Sequence, residues 1–335
     1  RFPISDRLTS RHHNNFNLLR LAAAVCVIIT HSYALLGLPE RDLLNRLTHG
    51  LVSFSQLGLY SFFVISGFLI YASLQRSSTY SSFFFKRIRR IFPALAIVIL
   101  STVFILGPLT TTLSLRSYFS QNETYRYLGG LTLYRITYTL PGVFMHNPYP
   151  RAINGSLWTL PYEWTWYIIL AAVFWIIKQK PRAILCVAPL ITLGIRTLVG
   201  RYHIASVIPF LHLDVRQLML FGTFFLLGAL GYEMRTAIPY KGKVVGVLLL
   251  TTWLTSTTAL GLYVLIITLP YLILMCAAYE LPQTIQRLFS RADYSYGLYI
   301  YAFPVGQLLV AFVPTARHSV ASLALTTMIA TIPCA

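Results

Sequence analysis

Acid is what this chain has least of. Its 335 residues include nine Asp and Glu against 27 Lys and Arg, and charged residues of both signs make up only 11%. A soluble domain carries about 25% charged residues. A chain this poor in charge, with a mean hydropathy of +0.65, is solvated mostly by lipid. Strand-type alternation is missing too, which argues against an outer-membrane barrel. The four cysteines, Cys26, Cys186, Cys276 and Cys334, fall singly in apolar runs. That spacing is neither a disulfide framework nor a metal site, and they read as small core residues. No stretch resembles a cleavable signal peptide, and there is no room for an appended soluble domain. Nor is there an internal repeat, although many secondary transporters are built from two related halves.

What remains is a series of apolar runs, each of about 20 residues, the length that crosses a bilayer as a helix. The expected spans are 16–38, 51–74, 91–109, 156–177, 183–200, 215–232, 244–258, 259–279, 297–313 and 318–335. The run 128–145 is excluded because Gly129, Gly130, Arg135, Pro141 and Gly142 suit a lipid-facing helix badly. Loop charge supports that choice. With 128–145 outside and the N-terminus inside, Lys86, Lys178, Lys180, Lys241 and Lys243 all face the cytoplasm, as the positive-inside rule requires. The predicted fold is therefore all-α and polytopic, with about ten transmembrane helices. A long outer loop joins spans three and four, and both termini are cytoplasmic. The whole of 1–335 reads as one membrane domain. It opens without Met and ends inside an apolar run, so it is expected to be truncated at one or both ends. The net charge of +18 is assigned to topology and anionic lipid rather than to nucleic acid.

The stretch 16–38 carries Arg20 near one end and His31 well inside. Eleven residues at ~100° each overshoot three turns by only ~20°, so the two share a helical face, ~16 Å apart along the axis. Ionisable groups in lipid are costly and face a protein-lined interior. Counting from the outer ends of their spans, His31 and Glu163 are both expected about 10 Å deep, at one level. Asp214 and Arg216 are expected at the outer mouth of another span, as a structural pair or as acceptor-side groups. Lys86, Arg87, Arg89 and Arg90 lead into the third span, and Arg87 and Arg90 share a face. Arg suits bidentate phosphate binding, although the plain alternative is topogenic charge. Ser66 and Gly67 are small residues in the second span that permit close helix packing or admit a narrow ligand chain. Trp158 belongs to an aromatic run that reads as an interfacial belt, or more weakly as a sugar platform.

Five motifs in order carry a resemblance: RLAAAVCVIITH, FFVISGFLI, FKRIRRIFPAL, NGSLWTLPYEWTWY and DYSYGLYIYAFP. With them the chain resembles the acyltransferase 3 family of integral membrane O-acyltransferases over essentially its whole length. The resemblance implies transfer of an acyl group, usually acetyl, from cytoplasmic acyl-CoA to a hydroxyl on a cell-surface or lipid-linked polysaccharide. Acyl-CoA is then a donor substrate, with no permanently bound cofactor and no metal. It also implies essential roles for Arg20, His31, Arg87 and Arg90, and matches Glu163 to a recurrent acidic position. One departure stands out: Ala302 occupies a place where many members have His. On this reading Arg20, Arg87 and Arg90 bind the phosphates of acyl-CoA, and its pantetheine arm passes Ser66 and Gly67. His31 acts as general base or as nucleophile, Glu163 orients it, and Asp214, Arg216 and Trp158 lie on the acceptor side. A proton-coupled transporter or flippase, with His31 and Glu163 as a relay, is the rival reading, and a non-catalytic scaffold is a third. The oligomeric state is not readable.

Overall fold

The computed structural model describes residues 4–9, 14–176, 181–202, 206–290 and 293–334; Lys178 and Lys180 lie outside them. The chain is mostly helical. Among the described residues ten helices have twelve residues or more: α1 (Phe16–Leu35), α2 (Phe54–Arg76), α3 (Tyr80–Ser101), α4 (Leu160–Ile176), α5 (Pro181–Arg201), α6 (Val215–Glu233), α7 (Gly242–Leu254), α8 (Gly261–Ala278), α9 (Ser295–Phe312) and α10 (Val320–Thr331). Seven are long and apolar enough to cross a membrane: α1, α2, α3 with its continuation to Thr110, α5, α6, α8 and α9. The other three expected positions hold shorter helices, of 17 residues in α4, 13 in α7 and 12 in α10. The run 128–145 forms no long helix.

α2 is the hub, packed between α1 and α6. Its sequence defines its own start, because Ser53 and Gln56 form a reciprocal capping box. Asp42 reinforces the start: its buried carboxylate accepts bonds from the Thr30 hydroxyl at 2.7 Å and from the Phe54 N–H at 2.9 Å. Along the helix, glycines set the approach. A Cβ on Gly58 would run into the Ala23 carbonyl of α1, and one on Gly67 into the Phe225 carbonyl of α6. Gly228 meets the Val64 backbone in the same way from the α6 side. Small residues are the usual device for bringing membrane helices this close.

Cross-helix contacts set relative heights. Thr30 Oγ1 accepts the Ser55 N–H at 2.9 Å, and the Phe16 and Phe68 rings lie 5.0 Å apart, so α1 and α2 run antiparallel. α9 runs parallel to α1, with Asp293 beside Arg20, Phe303 beside His31 and Gly306 against Leu35. One face of the bundle thus carries Arg20 and Arg90, and is here named the arginine end. The opposite face carries residues 111–159 and is the loop end.

The loop does not stay at that face. Asn147 Nδ2 bonds the Gln307 side chain at 2.7 Å, Asn154 Nδ2 the Ile300 carbonyl at 2.7 Å, and Thr159 the Tyr299 hydroxyl at 2.6 Å. Residues 147–159 therefore descend along α9 by eight residues, about 12 Å. The buried backbone of this irregular stretch needs such partners, since lipid offers none. α4 begins only where the descent ends.

Candidate active site

Three elements meet at the arginine end. Arg20 on α1 is buried, at 5% exposure. Its Nη1 donates to Asp293 Oδ2 at 3.0 Å, and Arg90 Nη2 on α3 donates to the same oxygen at 2.8 Å. Asp293 stands just before α9. Its Oδ1 accepts the Ser295 N–H at 3.2 Å and also the Ser295 hydroxyl. One carboxylate thus caps the start of α9 and neutralises two cations. Burial would push the Asp293 carboxyl up, but Arg20, Arg90 and Ser295 together hold it below its ordinary value.

Arg20 and Arg90 separate two spaces and line both. Below them a vestibule of about 350 Å³ opens between Asn17, Phe68, Arg76, Tyr232 and Asp293. Above them lies a narrow chamber of about 50 Å³, bounded by Phe63, Ser66, Glu163, Tyr167, Tyr296 and Tyr299. Glu163 is in the first turn of α4, where the helix dipole favours a carboxylate. Its Oε1 accepts the Ser66 hydroxyl at 2.8 Å and the Tyr167 hydroxyl. Arg87, one turn before Arg90, has a buried Nε–H with no hydrogen-bond partner.

His31 stands apart. Its ring lies edge-on to Phe303 at 5.2 Å, half-buried, and makes no hydrogen bond among the described residues. Phe303 also packs on Gly155 and Tyr149 of the descending loop. The expectation that Glu163 and His31 share a level fails. Through Ser66 and the α1–α2 register, Glu163 sits within a turn of Arg20, while His31 is ~16 Å further toward the loop end. Depth counted from Ser156 is misleading because residues 153–159 are already buried or half-buried within the bundle. The expected bond from Glu163 to His31 is not made.

Gly67 lies against the Phe225 backbone and lines neither space. Asp214 caps α6 by accepting the Gln217 N–H at 3.0 Å, takes the Ser206 hydroxyl at 2.8 Å, and makes no ion pair with Arg216 among the described residues. Arg216 runs beside Gly200 at the end of α5. Trp158 packs against Tyr162 and Phe221, on the wall of a cleft at the loop end. Ala302 is buried against Ala24 and Ile28, filled space rather than a catalytic position. Among the described residues no cluster of His, Cys, Asp and Glu fits a metal ion. Asp293 is the side chain of this centre that motif reading did not single out. The spacing Asp-x-Ser before an apolar run is a helix-start signal, and in a chain with nine acids an arginine partner could have been sought there.

A buried cation–carboxylate centre between two spaces, inside a helical bundle with seven membrane-length helices, defines a polytopic membrane protein with an internal polar site. The acyltransferase domain family matches residues 13–335, and the chain belongs to that family: it is an acyltransferase. It is similar to an O-acetyl transferase of Shigella phage Sf6, 30% identical over 89% of this chain and 86% of that protein. It is also similar to Nodulation protein 10 of Rhizobium leguminosarum bv. viciae, 32% identical over 92% of this chain and 86% of that one. No solved structure matches.

Proposed function

We propose that this acyltransferase moves an acetyl group from cytoplasmic acyl-CoA to a hydroxyl of a cell-surface or lipid-linked polysaccharide across a bacterial inner membrane. The arginine end faces the cytoplasm in this reading, both termini lie there, and the chain crosses the membrane about ten times. The observation that carries the proposal is the pair Arg20 and Arg90, which lines both the vestibule and the chamber. Arg76 on the vestibule wall and the free Nε–H of Arg87 add donors at the same end. Such a set suits the phosphates of acyl-CoA. The thioester arm would then lead past Ser66 and Glu163 toward His31.

His31 takes the proton from the acceptor hydroxyl, whose oxygen attacks the thioester carbonyl. The carbon–sulfur bond breaks and CoA leaves as a thiolate that is protonated. A direct acyl transfer to the imidazole is the other route. With Glu163 engaged by Ser66 and Tyr167, its part is to hold the chamber's polar lining beside the arginines rather than to orient His31.

The test is transfer of labelled acetyl from acetyl-CoA in membranes carrying His31→Gln. Loss of a positioned general base lowers the rate by about 10²–10⁴-fold, at unchanged protein level. Undiminished glycan labelling would sink the role of His31.

A further inference from the structure

The cleft at the loop end has about 650 Å³ of space and is not part of the centre described above. Its walls come from 125–138, from 158–162 and from the turn at 211–213. Three features define it. Trp158, partly exposed, meets the buried Tyr162 edge-to-face at 5.7 Å, and Tyr162 is fixed by accepting the Asp214 N–H at 3.0 Å, so one indole ring is held firmly on the cleft wall. Arg126, Arg135 and His212 line it while no Asp or Glu does, and neither arginine has an ion-pair partner among the described residues. The backbone is strained on both sides, with His212 at φ 53° and Leu133, next to Tyr134, at φ 68°. Non-glycine residues are rare in that region and tend to be held there at ligand clamps.

The cleft also shares a wall with the chamber beside the arginines. Trp158, Pro161 and Tyr162 face the cleft, while Thr159, Leu160 and Glu163 of the same segment face the chamber. An acceptor held here lies one helix width, about 10 Å, from the chamber.

We propose that this cleft docks the acceptor glycan, and that it selects an anionic one, a sugar chain bearing a carboxylate or phosphate. The inference rests on the acetyl-transfer reading above. Sugar rings lie against the Trp158 indole, and Arg126 and Arg135 receive the anion as forked donors. Both arginines are exposed and have no ion-pair partner among the described residues, so their guanidinium groups are free to turn toward such a group.

The experiment is calorimetric titration of the full chain in nanodiscs with three probes, run beside an acetyl-CoA transfer assay on the same preparations. The probes are a glucuronate-containing oligosaccharide, its carboxyl-reduced counterpart, and a pyrophosphate-linked form of the reduced sugar. At least one anionic probe should bind about tenfold more tightly than the reduced sugar, the worth of one charge-assisted hydrogen bond. The double variant R126Q/R135Q should erase that difference. Preference for the glucuronate probe places the charge on the polymer; preference for the pyrophosphate probe places it on the lipid carrier. Equal binding of all three, or an unchanged R126Q/R135Q, overturns the cleft assignment even if acetyl transfer proceeds. Charge-selective binding without acetyl transfer to any probe keeps the cleft and removes the transfer reading. Trp158→Leu should weaken all three probes together, and equal affinity in that variant removes the sugar surface.

Discussion

At the scale of single residues the centre is an arrangement of charge with one anion and two cations. Asp293 Oδ2 is shared by Arg20 and Arg90, so removing the carboxylate leaves two guanidiniums facing each other in a poorly hydrated site. Asp293→Asn should lower stability by about 2–4 kcal/mol, as breaking a buried ion pair does with some relief from partial exposure. The pH dependence follows in sign. Because the Asp293 carboxyl is held below its ordinary value, its contribution is complete above the unfolded carboxylate value of ~4 and disappears as pH falls through the lowered one. Thermal unfolding in detergent between pH 7 and about 3 should show that acid-side loss in the parent and a smaller one in Asp293→Asn. Arg87 is a contrasting case. Its Nε–H has no partner to lose, so Arg87→Gln should leave stability nearly unchanged and raise the KM for acetyl-CoA about tenfold. An unaltered KM would take Arg87 out of the donor site.

Among the elements, the crossing of α2 and α6 depends on glycine. The side of α2 at Gly67 meets backbone, which has no rotamer to yield, and Gly228 returns the contact from α6. Gly67→Ala should therefore cost about 1–3 kcal/mol in unfolding free energy. Specific activity per folded molecule should hold, because Gly67 lines neither the vestibule nor the chamber. A raised KM for acetyl-CoA with normal stability would instead return Gly67 to the path of the donor. The descending segment 147–159 is the other decisive element. Its bonds to Gln307, Ile300 and Tyr299 replace an outer helical turn of α4. They also carry Glu163 to the arginines.

For the whole molecule, the positive-inside pattern predicts which face is which. In a cysteine-free background, Ser120→Cys in the loop should react with an impermeant maleimide on intact spheroplasts. Ser78→Cys, between α2 and α3 and exposed, should react only after permeabilisation. The opposite pattern would reverse the orientation and with it the direction of transfer. The sequence alone was sufficient for the helical membrane class, the family, the pairing of Arg20 with His31 on one face, and the exclusion of 128–145 as a helix. Each of these depends on composition, spacing or local backbone preference, which are properties of neighbouring residues. The tertiary structure alone decided that Asp293 joins Arg20 to Arg90, that Gly67 belongs to a helix crossing, and that Glu163 is level with Arg20 rather than His31. These depend on how far an irregular segment sinks between helices. That depth is set by hydrogen bonds to residues more than a hundred positions away, and periodicity carries no trace of it.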